Sequence, residues 1–243
     1  MTQAYSPADM MAVAMARLVK NGEVTFVGVN SPLPLVAVSL AKKLHAPNCI
    51  FVSISGGVNP SPKALVANTS SSGLSEGSAV VFDNQELYGL NGRGGIDATF
   101  LGMGQMDVQG RVNSSFIGSR DKPKVRFPGG GGAPAILPMA KRVIVWRAGH
   151  SPKIFVEKVE FVTSAGNVDR VVTPFCVFRK ESGRLVLESI HPGVTRQQLA
   201  DSTGFKIANL DSAPETPEPT LEELAILREI DSGNVRRSEF GPM

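Results

Sequence analysis

The sequence has few of the residues that carry covalent or metal chemistry. Its 243 residues include two cysteines, three histidines and one tryptophan, and charged residues make up 19%. Cys49 and Cys176 each lie within an apolar run, so two buried free thiols are a better interpretation than a disulfide or a metal pair. The histidines have no partners at the spacing of metal ligands. We therefore predict no metal site.

Long apolar runs and a strong charge bias are also missing. The longest apolar stretch, residues 33–41, is far shorter than the roughly 20 residues that cross a bilayer. The formal net charge of +3 is too small to argue for nucleic acid or an anionic membrane. The first residues show no basic segment followed by an apolar one, so we predict no secretory signal. These features favour a cytoplasmic protein without membrane or nucleic-acid partners.

The order of apolar segments indicates an α/β fold. Residues 23–29 and 49–54 are nearly unbroken apolar runs, which is typical of buried parallel strands. Between them, Ser31-Pro32 predicts the start of a helix that continues to Leu44. A strand, a helix and a strand at this spacing form a βαβ unit with a right-handed crossover. We expect an open, mostly parallel sheet with flanking helices.

Further elements follow from the same patterns. Ser6-Pro7 predicts the start of a first helix, and Thr220 with Glu223 predicts a capping box on a last one. Residues 1–210 are predicted to form the main domain, and residues 211–243 an acidic, proline-rich linker with a helical tail. Short strands are predicted at 79–82, 98–102, 111–118, 142–146 and 155–163, with a hairpin made of 171–178 and 184–190.

The second buried strand ends in an unusual way. The segment FVSISGG, residues 51–57, stops at a glycine pair where α/β enzymes often place chemistry, yet it contains no acid, base, thiol or metal ligand. A long loop rich in serine and glycine follows it to residue 78, and loops of this length are usually functional or disordered. Glu76 lies in that loop, where an isolated carboxylate is usually solvated.

Two glycine turns are the strongest local signals. The run FPGGGGAPAI, residues 127–136, leaves backbone N–H groups unshielded at Gly129, Gly130, Gly131 and Gly132. Such a turn can bind an anion or form an oxyanion hole, although a flexible surface loop is the plain alternative. The segment LGMGQMD, residues 101–107, lacks the third glycine of a dinucleotide fingerprint. Its residues Gly102, Gly104 and Gln105 are candidates for lining a cleft.

Five stretches taken together resemble the β subunit of the family I coenzyme A transferases, of the glutaconate CoA-transferase type. They are residues 8–49, 101–118, 125–136, 155–166 and 191–205. The resemblance implies the CoA-transferase-like α/β fold and an enzyme of CoA thioesters. Coenzyme A would then be part of the substrate, with no tightly bound cofactor. It also implies an α subunit as partner, in a heterodimer or heterotetramer, with the active site at the α–β interface.

In transferases of this type, a glutamate just before Ser-Gly attacks the acyl-CoA and becomes a thioester. The matching residue here is Ile54, which cannot act as nucleophile or base, so the resemblance implies no catalytic residue in this chain. Ser53, Ser55 and Gly56 surround it, and an unactivated serine is a poor substitute. A related branch of heteromeric hydrolases, which open a steroid-derived ring on a CoA thioester, also lacks this glutamate and takes its base from the α subunit.

We therefore expect a hydrolase-like β subunit. Its oxyanion site or CoA site would be lined by Ser53, Ser55, Gly56 and the two glycine turns. One alternative is a CoA-transferase whose nucleophile lies elsewhere. A second is a ligand-sensing module, because a similar fold serves as the effector domain of some sugar-responsive repressors. No basic face supports that module here. A third is a scaffold subunit that shapes the pocket for the α chain.

Overall fold

The structure, a computed structural model, describes residues 5–240. Its helices are α1 (Pro7–Ala16), α2 (Pro32–Leu44), α3 (Asn84–Gly92), α4 (Ala133–Met139), α5 (Arg196–Asp201) and α6 (Leu221–Ile230). Its strands are β1 (Val24–Val27), β2 (Ile50–Ser53), β3 (Gly57–Val58), β4 (Val80–Val81), β5 (Ala98–Gly102), β6 (Gln105–Asp107), β7 (Val112–Asn113), β8 (Phe116–Gly118), β9 (Pro123–Arg126), β10 (Arg142–Trp146), β11 (Phe155–Val156), β12 (Val168–Val172), β13 (Cys176–Glu181) and β14 (Arg184–Ile190).

The chain forms two compact units. The first unit contains residues 5–101 together with 218–240, and the second contains Gly102–Pro217. The tail after Glu218 therefore groups with the beginning of the chain. The predicted domain boundary at residue 210 stays a prediction. No helix of residues 5–240 combines the length and apolar character that a bilayer span requires.

The first unit is built around the predicted βαβ unit. Its strands lie in the order β5-β1-β2-β3-β4, and β5, β1 and β2 are parallel. The register pairs Val24 with Ile50 and Val27 with Ser53, so both parallel strands end at the same level. The short strands β3 and β4 are antiparallel and continue the sheet outward. This confirms the predicted α/β class.

The C-terminal segment is fastened to α1 by ion pairs. Arg236 is buried and donates to Asp9 at 2.5 Å and to Asp231 at 2.7 Å. Burial by itself raises the pKa of Asp9, but hydrogen bonds from Ser6 and Arg236 outweigh it, and the pKa lies below its ordinary value. Arg17 near the end of α1 forms two further hydrogen bonds with Glu223 of α6. The predicted capping box at Thr220 is present, and the predicted helix start at Ser6 also has a capping box, with Asp9.

The second unit is a mixed β structure. Strand β10 is parallel to β12, and β12, β13 and β14 form an antiparallel meander. The two residues Ser182 and Gly183 turn β13 into β14, both with positive φ, as a tight hairpin requires. A small sheet contains β11, β6 and β7, and β8 pairs with β9. The predicted strand 171–178 is interrupted, because the Thr173 hydroxyl accepts the N–H groups of Phe175 and Cys176.

Two histidines of the second unit are held neutral inside it. The ring of His150 stacks between Phe155 and Phe175, and hydroxyls of Thr173 and Thr203 lie 2.9 and 3.0 Å from its nitrogens. Burial lowers the pKa of His150 to about 3. His191 is 2% exposed, and burial lowers its pKa to about 4. The stacking of His150 and the 2.9 Å contact of His191 with the Thr216 hydroxyl are packing interactions inside the unit.

These histidines predict a loss of stability in mild acid. Each ring binds a proton in the unfolded chain below pH 6.5 and stays neutral in the folded chain until about pH 4. The free energy of unfolding should therefore fall as the pH falls, by about 1.4 kcal/mol per pH unit for each histidine. Urea unfolding between pH 7 and pH 5 measures this change, and NMR of the ring carbons reports the protonation of the folded protein. A constant free energy of unfolding over that range would contradict the prediction.

Candidate functional site

The turn after β2 is shaped by close backbone contacts. Gly56 has a φ of +91°, its N–H donates to the carbonyl of Ser53, and its own carbonyl accepts the N–H of Phe82. A Cβ on Gly56 would lie 2.2 Å from the carbonyl oxygen of Phe82, and one on Gly57 would lie 2.5 Å from that of Leu74. The glycine pair is therefore required by the packing of the backbone.

Side chains in this turn carry no acid or base. Ile54 is partly buried. Ser53 and Ser55 place their hydroxyl oxygens 2.8 Å apart, and Ser75 donates to the carbonyl of Ser55 at 3.0 Å. Within the part of the chain that the structure describes, the two hydroxyls bond to one another, to the N–H of Ser55 and to Ser75. Among residues 5–240, no hydrogen bond joins either serine to a base that would activate it as a nucleophile.

The one carboxylate considered for this loop lies outside the turn. Glu76 ends a short 3₁₀ turn, Ser72–Ser75, and its side chain is exposed. Its backbone carbonyl accepts the N–H of Ser61, which closes the loop. The solvated interpretation of Glu76 therefore fits the structure.

The two glycine turns of the second unit meet at Ser114. The N–H of Gly104 donates to the Ser114 hydroxyl at 3.2 Å, and the N–H of Gly129 donates to the Ser114 carbonyl at 2.8 Å. A Cβ on Gly104 would lie 2.7 Å from the carbonyl oxygen of Asn113, so this position too requires glycine. Of the predicted donors, Gly104 and Gly129 thus have N–H groups that are already bonded within the chain.

Gln105 has a structural role of the same kind. Its amide donates to the carbonyl of Lys153 at 2.8 Å and accepts from Asn113 at 3.0 Å. The side chain is 7% exposed and holds two strands together. Gly102, at the end of β5, is exposed, and only Trp146 lies within 4 Å of the space that its side chain would fill.

The N–H groups without an acceptor belong to the last three glycines of the run. Among residues 5–240, no acceptor is found for the N–H groups of Gly130, Gly131 and Gly132. Gly130 packs against Thr163, whose methyl carbon lies 2.7 Å from the position of a Cβ on Gly130. Thr163 in turn accepts the N–H of Ser114 at 2.9 Å. Thr163 therefore supports the loop at Gly130, and N–H groups without an acceptor are suited to binding an anion.

The candidate residues are divided between the two units. Ser53, Ile54, Ser55 and Gly56 share one turn of the first unit, and the other candidates lie in the second unit around Ser114. Sequence reasoning missed Ser114, Thr163 and Ser75, which position these turns. The polar pair Ser114-Ser115, in the middle of a predicted strand, was the available signal. No group of three or more His, Cys, Asp or Glu side chains that could hold a metal occurs among residues 5–240.

The turn after β2 gives a prediction with an internal control. Gly56 and Gly22 both have positive φ, +91° and +81°, but no atom lies within 4 Å of a Cβ at Gly22. Gly22→Ala should cost about 1–2 kcal/mol for the left-handed backbone. Gly56→Ala should cost at least twice as much, because its Cβ also meets the Phe82 carbonyl. Thermal unfolding of the two variants measures the difference, and equal midpoints would show that the close contact is not needed.

Comparisons with known proteins place the chain in a family. Residues 8–202 match the model of the family described as Coenzyme A transferase. The chain is 37% identical to the B subunit of 3-oxoadipate CoA-transferase from Pseudomonas knackmussii over 94% of each protein. It is 29% identical to the B subunit of glutaconate CoA-transferase from Acidaminococcus fermentans, again over 94% of each. A shorter match, at 32% identity, covers 54% of this chain and 57% of the cholesterol ring-cleaving hydrolase IpdB subunit of Rhodococcus jostii.

A solved structure supports the same conclusion. The decarboxylase AibA/AibB superimposes with a TM-score of 0.90 at 26% identity, over 98% of this chain and 99% of that one. The fold and the family predicted from the sequence are thus confirmed. The chain belongs to the coenzyme A transferase family.

Proposed function

We propose that this chain is the β-like subunit of a heteromeric enzyme that acts on an acyl-CoA thioester and takes its acid–base residue from a second chain. The observation that carries the proposal is the turn after β2, where Ile54 stands between two serines that have no base. The relatives support a two-chain enzyme, because two are named as B subunits of CoA-transferases and a third as a subunit of a hydrolase.

The proposed reaction is hydrolysis rather than transfer. A base on the second chain removes a proton from water, and the water oxygen attacks the thioester carbonyl. The resulting oxyanion accepts hydrogen bonds from Gly130, Gly131 and Gly132, whose N–H groups have no other acceptor in residues 5–240. Collapse of the intermediate breaks the C–S bond, and the thiolate of coenzyme A takes up the proton. Coenzyme A is thus part of the substrate, and the cytoplasmic location stays a prediction from the sequence.

Transfer of coenzyme A between carboxylates is the second candidate. The match to the 3-oxoadipate CoA-transferase favours it, because that match is longer and stronger than the match to the ring-cleaving hydrolase. It requires a nucleophile other than the residue at position 54. The solved decarboxylase shows that proteins with this fold are not restricted to transfer. The two candidates differ in whether an enzyme-bound thioester forms.

Chemical trapping distinguishes hydrolysis from transfer. The assembly, isolated through an affinity tag on this chain, is incubated with an acyl-CoA and then treated with borohydride, which reduces a glutamyl thioester. We expect no mass change in either chain, and we expect oxygen-18 from labelled water in the released acid. A transferase of known covalent mechanism serves as the positive control. A borohydride-dependent mass change in this chain or in its partner would favour transfer.

The oxyanion role can be tested at one N–H group. Gly132 has φ −79° and ψ −10°, a conformation that both alanine and proline can adopt. Gly132→Ala keeps the N–H group, whereas Gly132→Pro removes it. We expect the proline variant to lose roughly 10²–10³ in kcat and the alanine variant to lose little. Similar kcat values for the two variants, with thermal unfolding unchanged in both, would exclude this N–H group as an oxyanion donor.

A further inference from the structure

The hairpin of β8 and β9 concentrates positive charge. Residues 120–126 contain four cationic side chains and one carboxylate, a formal excess of +3 that equals the net charge of the whole chain. The cations are Arg120, Lys122, Lys124 and Arg126, and all four are exposed. Among residues 5–240, no carboxylate lies within ion-pair distance of them.

This hairpin has a fixed geometry. The N–H of Gly118 donates to the Glu160 carboxylate at 2.6 Å, and the Ser119 hydroxyl accepts the N–H of Lys122 at 3.1 Å. Phe116 lies opposite Arg126 in the register and packs its ring 4.7 Å from that of Phe161. An exposed basic loop is usually only a solvated surface, but Lys124 and Arg126 lie on β9, which is paired with β8 along its length.

The basic strand leads directly into the glycine run. After Arg126, the N–H of Phe127 donates to Ser115 and that of Gly129 to Ser114, so the pairing continues beyond the end of β9. Lys124 and Arg126 are two residues apart and share one face of the strand. At about 3.3 Å per residue, the six residues from Lys124 to Gly130 span at most about 20 Å. The extended pantetheine arm of coenzyme A has a comparable reach.

Coenzyme A matches this arrangement chemically. Its thioester carbonyl becomes an oxyanion at one end, and its pyrophosphate and ribose phosphate lie at the other end of an uncharged arm. A guanidinium binds phosphate through paired N–H donors, and a lysine adds a point charge. We propose that Lys124 and Arg126 of the hairpin bind the phosphates of coenzyme A, while Gly130, Gly131 and Gly132 receive the thioester oxygen. This inference rests on the proposed function and adds a phosphate-binding site to it.

The test compares ligands with and without phosphates. Calorimetric titration of the tagged assembly with coenzyme A and with pantetheine measures binding by wild type, Lys124→Ala and Arg126→Ala. Each variant should bind coenzyme A about tenfold more weakly and with a smaller dependence on salt, because one phosphate contact is lost. Their affinity for pantetheine should equal that of wild type. Lys206→Ala, at another exposed lysine of the second unit, is the matched control and should change neither affinity.

Four results would overturn the inference. The first is an unchanged affinity for coenzyme A in both hairpin variants, and the second is an equal loss for coenzyme A and pantetheine. The third is the same loss in Lys206→Ala. The fourth is loss of the second chain from the hairpin variants during purification, which would make the hairpin a subunit contact. Failure of the wild-type assembly to bind coenzyme A would instead overturn the proposed function itself, and the phosphate site with it.

Discussion

The close backbone contacts at Gly56 and Gly57 determine what the turn after β2 can and cannot do. The carbonyl oxygens of Phe82 and Leu74 leave no room for a Cβ atom, so both positions require glycine. The direction of the turn is therefore set by glycine and not by the residues before it. The side chain of residue 54 can change without altering this path, which is how one fold comes to carry different chemistries. In the proposed function, an isoleucine at that position changes the reaction and leaves the architecture unchanged.

Much of the first unit could be predicted because local and long-range signals agree there. Pro32 at the start of α2 and the apolar runs on either side specify the βαβ unit, and the capping box at Thr220 specifies α6. Prediction failed where a single side chain redirects the backbone. Thr173 interrupts an apolar run by capping two N–H groups, and no periodicity reveals such a contact. Helix α4 was missed because two prolines lie within its seven residues.

In the candidate site, the sequence likewise did not predict which N–H groups form hydrogen bonds within the chain. Four consecutive glycines indicate available N–H groups, but which of them are free depends on neighbours far along the chain. Ser114 accepts the N–H groups of Gly104 and Gly129. These two donors therefore connect the glycine turns through Ser114. Thr163, from another segment, supports the loop beneath Gly130. The pattern therefore predicts available donors, whereas the identity of the free ones requires the fold.

The groups that the proposals assign to this chain are hydrogen-bond donors and cations. The glycine N–H groups are donors, the hairpin carries cations, and the serines beside Ile54 bond to one another. Burial lowers the pKa of His150 and of His191, which makes both rings weak bases near neutral pH. Such a set favours the binding and stabilisation of negative charge. The proposed reaction therefore assigns the removal of a proton from water to the second chain.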